Sequence, residues 1–315
     1  MKDFKGFKKG VNLGGWLSQC DYREEHLENF ITEEDFKKIA SWGMDHVRVP
    51  IDYNVIQNDD GTVRESGFCH IEKAVSMCEK YGLNIILDLH KTVGYSFDKG
   101  EKENGFFENT GYQERFYSFW AELARRYGNR ENIAFELLNE VTDKEFSAKW
   151  NEIAKECIKR IRLIAENTVI LVGSYWNNSV SAVKDLDPPY DDKIVYNFHC
   201  YDPLTFTHQD AHWVDHIDVS GRRTYEESGY SAEKFMESFK EAKEKADKNG
   251  TVLYCGEYGV IDNASPEDAM KWYKDINKAF EHYGIGRAAW NYKEKDFGLA
   301  DERMKPVIEE LVKYL

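Results

Sequence analysis

The chain of 315 residues contains 42% hydrophobic and 31% charged residues, a composition typical of globular proteins. Its 42 Lys and Arg against 57 Asp and Glu give a net charge of −15 at pH 7, which argues against binding to nucleic acids or anionic membranes, since both bind basic surfaces. No stretch approaches the roughly 20 apolar residues of a membrane span, and we predict no signal peptide in this numbering because the first residues lack an apolar core.

Eight short runs of apolar and β-branched residues alternate with longer helical patterns along the chain. Some of these runs, such as Ile85–Leu87 and Val169–Val172, are apolar without alternation, which is typical of parallel strands buried on both faces. The predicted strands are Gly10–Leu13, His46–Pro50, Asn84–His90, Ile133–Glu140, Thr168–Gly173, Ile194–Tyr201, Leu253–Val260 and Arg287–Tyr292.

The segments between these runs carry signals for the start and the end of helices. Thr32 and Ser265 each stand three residues before a carboxylate, as in a capping box, and Ser265 is followed by a proline at the first helical position. The last predicted helix is Lys305–Leu315. Glycines that can close a helix in the left-handed conformation stand at Gly43, Gly82, Gly128, Gly250 and Gly284.

Strands alternating with helices, without a glycine-rich nucleotide-binding turn, predict an α/β fold of the (β/α)8 TIM-barrel type. An open doubly wound sheet is the alternative. We expect residues 1–315 to form a single domain, because the sequence contains no low-complexity linker and no repeat. The longest irregular connection, Asp202–Ser231, is predicted to form a loop or small insertion over the active face. Scattered cysteines without a Cys-x-x-Cys pair favour reduced, mostly buried thiols over a disulfide framework or a zinc site.

Polar side chains stand at the predicted C-terminal ends of the strands, where barrel enzymes place their active sites. Two of them are carboxylates at the ends of apolar runs, Glu140 and Glu257. If these runs are the fourth and seventh strands, the two carboxylates face each other across the barrel mouth and can flank a glycosidic bond. The alternative is that each glutamate forms a structural ion pair, for example with Arg48.

Seven sequence motifs run from residue 12 to residue 293, namely Asn12–Leu17, His46–Pro50, Asp88–His90, Phe135–Glu140, Tyr196–Tyr201, Cys255–Gly259 and Ala289–Lys293. They stand in the order found in family-five glycoside hydrolases, the cellulase family, and the chain resembles in particular the bacterial endoglucanase C type. Lys91 departs from the paired histidines that this type often carries, and the connection after the sixth strand is shorter than in that type.

The resemblance implies roles for five catalytic residues. Glu140 is expected to be the acid/base, oriented by His199. Glu257 is expected to be the nucleophile, held ionised by hydrogen bonds from Arg48 and Tyr201.

The resemblance also implies contacts with the sugar. Asn139 is expected to bind the 2-hydroxyl, His90 to contact the glycone, and Trp290 to form the floor beneath the ring. Further candidate substrate-binding residues are Lys91, Trp16, Trp176 and Trp213, for which the alternatives are a solvent-facing lysine and tryptophans packed beneath loops.

These implied roles predict a retaining endo-β-1,4-glucanase that works by double displacement, without a metal or another cofactor. The same residues fit a mixed-linkage β-glucanase, a xyloglucanase, a mannanase or an exo-β-1,3-glucanase. Two different classes of protein compete with these hydrolases. One is a metal-dependent barrel enzyme, suggested by the histidines and carboxylates at one mouth, and the second is a non-catalytic glycan-binding barrel. We expect a monomer that binds β-glucan polysaccharides or oligosaccharides.

Overall fold

A computed structural model describes residue 1, residues 3–98 and residues 100–315. Within these residues each strand pairs in parallel with the next, and the last pairs with the first, so the sheet closes into a barrel. The predicted (β/α)8 barrel is therefore confirmed. The strands are β1 (Lys9–Asn12), β2 (His46–Asp52), β3 (Asn84–Lys91), β4 (Ile133–Glu136), β5 (Val169–Val172), β6 (Ile194–Cys200), β7 (Leu253–Tyr258) and β8 (Gly286–Ala289).

Helices fill the connections between the strands. Short 3₁₀ helices cover Lys144–Phe146, Val180–Asp185 and Glu302–Met304. The α-helices of the described residues are α1 (Glu24–Asn29), α2 (Glu33–Ser41), α3 (Tyr53–Ile56), α4 (Glu65–Tyr81), α5 (Thr110–Tyr127), α6 (Ser147–Arg162), α7 (Tyr175–Asn178), α8 (Leu204–Thr207), α9 (Ala232–Lys248), α10 (Pro266–Tyr283) and α11 (Ile308–Leu311).

The strand starts agree with the sequence better than the strand ends do. β4 ends at Glu136, so Glu140 lies beyond the strand, although Asn139 N still donates to Leu89 O at 2.9 Å. The predicted helix Lys305–Leu315 is wrong in extent, since only Ile308–Leu311 is α-helical. In both places buried apolar residues continue beyond the end of the strand or helix. Hydrophobicity alone does not mark where the regular backbone hydrogen bonds stop.

The helix ends confirm most of the capping signals. Thr32 forms the predicted capping box with Asp35, and Ser265 accepts a hydrogen bond from the backbone of Asp268. Gly82 closes α4 in the left-handed conformation, with φ of 70°. Gly128 does not: its φ is −63°, and a Cβ there would lie 2.3 Å from Ala165 Cβ, so glycine is required for close packing.

The barrel interior is apolar at its lower end and polar above it. Side chains two residues apart on a strand point to the same face, so Ile86 and Asp88, or Ala134 and Glu136, form successive layers. The lower layer is buried and is covered from below by an N-terminal aromatic pair. This apolar core consists of Ile86, Ala134, Leu171, Val195, Tyr254 and Ala288 with Phe4 and Phe7.

The segment 202–231 contains the short helix α8 and otherwise turns and bends, in agreement with the predicted loop. Its residues Ala211 and Val214 pack in one apolar cluster with Trp290, which places the loop beside the barrel mouth. All six cysteines, which lie within the described residues, are free. Among those residues no helix has the length and apolar character needed to cross a bilayer. A single domain over residues 1–315 stays a prediction.

Candidate active site

A charged layer lies directly above the apolar floor and is centred on Arg48. This residue is fully buried, and its guanidinium donates to the two oxygens of Glu136 at 2.7 and 2.8 Å. It also lies 3.0 Å from Asp88. Burial alone would lower the pKa of Arg48, but the carboxylates of Asp88, Glu136 and Glu257 raise it well above its ordinary value. The site is therefore built around a permanent cation.

Glu257 stands near the end of β7 and is 5% exposed. Arg48 Nη1 donates to its Oε1 at 2.8 Å, and the Tyr201 hydroxyl donates to its Oε2 at 2.8 Å. Burial and the charge of Glu257 raise the pKa of Tyr201 well above its ordinary value, so this hydroxyl stays a donor. Gly256 makes the approach of β6 possible, since a Cβ there would lie 3.1 Å from His199 Nε2.

Glu140 lies in the irregular segment after β4 and has a different set of partners. The Asn177 side-chain amide donates to its Oε2 at 2.7 Å, and His199 Nδ1 lies 2.8 Å from its Oε1. Burial raises the pKa of Glu140 to about 7, although the hydrogen bond from Asn177 and the charges of His90 and Arg48 lower it. Near neutral pH a large fraction of the molecules therefore carries a proton on Glu140, which suits a general acid.

His199 lies between the two glutamates. Burial lowers its pKa to about 4, so the imidazole is neutral near pH 7. Its Nδ1 is 3.6 Å from Glu257 Oε2 as well as in contact with Glu140. One oxygen of each glutamate and one nitrogen of His199 all lie within 4.8 Å of one another. A distance of at most 4.8 Å between one oxygen of each glutamate fits the roughly 5–5.5 Å spacing of retaining glycosidases better than the roughly 6.5–9.5 Å of inverting ones.

The residues expected to hold the sugar converge beside Arg48. His90 stacks on Trp290, with ring centroids 5.7 Å apart and planes inclined by 4°. Its Nδ1 is 2.7 Å from Asp88 Oδ2, and burial lowers the pKa of His90 while raising that of Asp88 to about 7. Asn139 accepts a hydrogen bond from Arg48 at 3.0 Å. The structure brings these side chains together, and their contacts with a sugar stay predictions.

The indole of Trp290, which follows β8, depends on a glycine that follows the neighbouring strand β1. A Cβ on Gly14 would lie 2.6 Å from the Trp290 ring, so a side chain at this position would displace the indole. The Asn-Leu-Gly-Gly-Trp motif therefore contributes polar groups to the site and also the small residue that leaves room for the indole.

Two of the further tryptophans are accessible to a ligand. Trp176 is 53% exposed and precedes Asn177, which contacts the Glu140 carboxylate. Trp213 is 46% exposed in the 202–231 loop, and His208 links its ring to Tyr201 with centroid distances of 6.5 and 5.0 Å. Stacking of these indoles on glucose units stays a prediction.

Trp16 and Lys91 are placed differently from the expectation. Trp16 is fully buried and its indole N–H donates to Leu27 O at 2.7 Å, so the prediction that it stacks on a sugar is wrong and it packs beneath a loop. Lys91 is almost buried, and its ammonium donates to Tyr22 and Glu101 at 2.8–3.0 Å. Its contact with a sugar stays a prediction, but in this structure the ammonium is bound by protein groups.

Glu140, His199 and Glu257 also form a group of side chains that could hold a metal ion. The guanidinium of Arg48, 2.8 Å from Glu257, repels a cation at this position. Both oxygens of Glu257 already accept hydrogen bonds from Arg48 and Tyr201. The electrostatics therefore favour acid–base chemistry by the side chains themselves.

Sequence reasoning missed the role of Glu136 and of Asn177. Glu136 is an ionisable residue inside an apolar strand, and such a residue needs a charged partner, which signals the pair with Arg48. Asn12 likewise accepts from Arg48 at 2.8 Å. For Asn177 no signal exists beyond its place after β5, because its contact with Glu140 depends on a left-handed turn.

Comparison with known proteins places this geometry in a family. The family model described as cellulase (glycosyl hydrolase family 5) matches residues 6–296. The chain is 58% identical to cellodextrinase A of Ruminococcus flavefaciens over 90% of this chain and 84% of that protein. It is 41% identical to endoglucanase C of Acetivibrio thermocellus over 98% of both chains. Among solved structures, Thermotoga maritima Cel5A in complex with cellobiose superposes with a TM-score of 0.81, at 25% identity and 98% coverage of both chains.

These likenesses agree with the motifs read from the sequence and with the closed barrel. The resemblance to family-five hydrolases and to the endoglucanase C type is confirmed. The chain belongs to glycosyl hydrolase family 5, the cellulase family, and is a glycoside hydrolase.

Proposed function

We propose that this chain is a retaining endo-β-1,4-glucanase in which Glu257 is the nucleophile and Glu140 the acid/base. The observation that carries the proposal is the pair of glutamates with one oxygen of each within 4.8 Å of the other, and with hydrogen-bond partners of different charge. Glu257 is bound by a guanidinium, whereas Glu140 is bound by a neutral amide and a neutral imidazole. The names of the relatives and the cellulase family model support endo-β-glucanase activity.

In the first half-reaction Glu257 Oε attacks the anomeric carbon as the bond to the glycosidic oxygen breaks. Glu140 transfers its proton to that oxygen, so the leaving sugar departs as a neutral alcohol and Glu140 becomes a carboxylate. The product on the enzyme is a glycosyl ester of Glu257. His199 helps to hold the Glu140 carboxyl group towards the scissile bond through the contact at 2.8 Å.

In the second half-reaction the carboxylate of Glu140 takes a proton from water, and the resulting hydroxide oxygen attacks the anomeric carbon. The ester bond breaks, Glu257 regains its charge, and the sugar leaves with the configuration of the substrate. Arg48 and Tyr201 stabilise the returning charge through their hydrogen bonds to both oxygens of Glu257. The side chains supply both the nucleophile and the proton transfer, so the scheme requires neither a metal nor an organic cofactor.

We infer that the substrates are β-1,4-glucans, including soluble cellodextrins. The exposed indoles of Trp176 and Trp213 provide flat apolar surfaces of the kind that sugar rings stack on. The names cellodextrinase and endoglucanase of two relatives point to the same class of substrate. We also expect the enzyme to act as a monomer, which light scattering after size-exclusion chromatography tests.

The anomeric configuration of the first product tests the mechanism. Proton NMR of a cellodextrin digest should show the β-anomer before mutarotation, whereas the α-anomer would contradict the assignment of Glu257 as nucleophile.

A panel of cellulose derivatives, mixed-linkage glucan, xyloglucan, glucomannan and β-1,3-glucan separates the possible specificities. Rapid loss of viscosity indicates internal cleavage, and activity that survives chelation excludes a metal-dependent reaction.

A further inference from the structure

A left-handed turn after β5 presents two asparagines to the catalytic groups. Trp176, Asn177 and Asn178 have φ values of 51°, 55° and 55°, a conformation that residues with a Cβ rarely adopt in succession. Asparagine tolerates it better than most residues. The surrounding structure must therefore hold the turn in place.

Backbone hydrogen bonds tie this turn to the segment that carries Glu140. The N–H groups of Trp176 and Asn177 donate to Thr142 O and Val141 O at 3.1 and 3.0 Å. On the other side of the segment, Tyr95 OH donates to the backbone carbonyl of Glu140 at 2.9 Å. The turn and the acid/base segment are thus fixed to each other through main-chain contacts.

The side chains of the turn reach both Glu140 and its partner. The Asn177 amide donates to Glu140 Oε2 at 2.7 Å while His199 faces the other oxygen, so rotation of the carboxyl group is blocked on both sides. Asn178 is buried, and its amide nitrogen lies 3.4 Å from His199 Nε2. A neutral amide is a donor at every pH, and a donor stabilises a carboxylate more than a carboxylic acid.

We propose that Asn177 is a positioning residue that holds the Glu140 carboxyl group in one orientation and stabilises the carboxylate left after proton transfer. When the Glu140 O–H bond breaks and the proton moves to the glycosidic oxygen, the electron pair stays on the carboxylate and the Asn177 N–H···O bond strengthens. The same bond then orients the base for the attack of water. This inference rests on the proposed function of Glu140.

Two substitutions remove the amide donor and are compatible with the positive φ of the turn. Asn177→Gly removes the donor and introduces glycine, which adopts positive φ freely. Asn177→Asp replaces the donor with a carboxylate of similar shape. Glu294→Gly is the matched control, because Glu294 is exposed, has φ of 57° and lies outside the site described above. Circular dichroism and thermal unfolding verify that each variant is folded.

The measurement is kcat/KM against pH with two substrates, cellotetraose and dinitrophenyl β-cellobioside. The dinitrophenolate leaving group of the second substrate departs without a proton. For Asn177→Gly we expect a loss of about tenfold on cellotetraose. The alkaline limb of the profile should move to higher pH, because the pKa of Glu140 rises when the donor is lost. Asn177→Asp should move the limb further in the same direction. The kcat/KM of Asn177→Gly on the dinitrophenyl substrate should stay within about twofold of the wild-type value. The same is expected of the Glu294→Gly control on both substrates.

An alkaline limb that stays in place in a folded Asn177→Gly variant overturns the inference. So does an equal loss on both substrates, because it indicates a general structural defect. Failure of the proposed function has another signature, since Glu140→Ala would then retain the wild-type rate on cellotetraose.

Discussion

The two glutamates at the barrel mouth are the same functional group in adjacent positions, yet the charges around them differ. Glu257 accepts a hydrogen bond from a permanent cation at 2.8 Å. The hydrogen-bond partners of Glu140 are an amide and an imidazole that is neutral near pH 7, and burial raises the pKa of Glu140 to about 7. The comparison teaches that the partners assign one carboxyl group to attack and the other to proton transfer.

The backbone under the two groups differs as well. Glu257 belongs to β7, within the hydrogen-bonded wall that also contains Arg48. Glu140 follows β4 by four residues and is reached from the loop after β5. The nucleophile is therefore supported by strands, whereas the acid/base is supported by connecting segments.

Removing the nucleophile should have the largest effect. Glu257→Ala leaves no atom to form the glycosyl ester, and we expect kcat on cellotetraose to fall by roughly 10⁴- to 10⁶-fold. Initial rates of reducing-sugar release measure this effect. The control is Glu237→Ala, a substitution at an exposed residue of α9. Residual activity within tenfold of the wild type would assign the nucleophile to another residue.

Removing the acid/base should give a smaller effect that depends on the substrate. For Glu140→Ala we expect kcat/KM on cellotetraose to fall by about 10²- to 10⁴-fold. The same value on dinitrophenyl β-cellobioside should change little, because dinitrophenolate needs no proton. Stopped-flow measurement of dinitrophenolate release tests this difference. Equal losses on both substrates would contradict the division of roles between Glu140 and Glu257.

The pH profile of the wild type should show the acid. Glu140 must be protonated in the first step, so kcat/KM on cellotetraose should fall about tenfold per pH unit above the pKa of about 7. Below that pH Glu140 is protonated, so its titration no longer changes kcat/KM. With dinitrophenyl β-cellobioside the alkaline limb should be absent. A limb at the same pH with both substrates would mean that another group titrates.

The amino-acid sequence predicts the barrel well and its rim less well. The strands β2, β3, β4, β6 and β7 begin at the predicted residues. The apolar run extends through Leu137 and Leu138 and so predicts an end of β4 at Glu140, although these buried leucines lie beyond the end of the strand at Glu136. The hydrophobic pattern alone does not distinguish a strand residue from a buried residue beyond the end of the strand.

The same limit applies to the site. The two glutamates are predictable because a carboxylate at the end of an apolar strand requires an explanation, and the same rule applied to Glu136 reveals the partner of Arg48. Asn177 is not predictable, since its contact depends on a run of positive φ angles that no periodicity announces. Trp16 is fully buried and donates to Leu27 O, an environment that only the folded chain reveals.

The smallest effect should come from the exposed indole on the acid/base side. Trp176→Ala removes an indole that is 53% exposed in the same turn as Asn177, and it changes neither carboxyl group itself. A lost stacking contact should raise KM for cellotetraose by about 3- to 10-fold with kcat nearly unchanged. Dinitrophenyl β-cellobioside lacks sugar units beyond the scissile bond, so its KM should stay constant if Trp176 binds the leaving-group side. A parallel rise in both KM values would place the indole on the other side of the bond, beside the sugars that Glu257 retains.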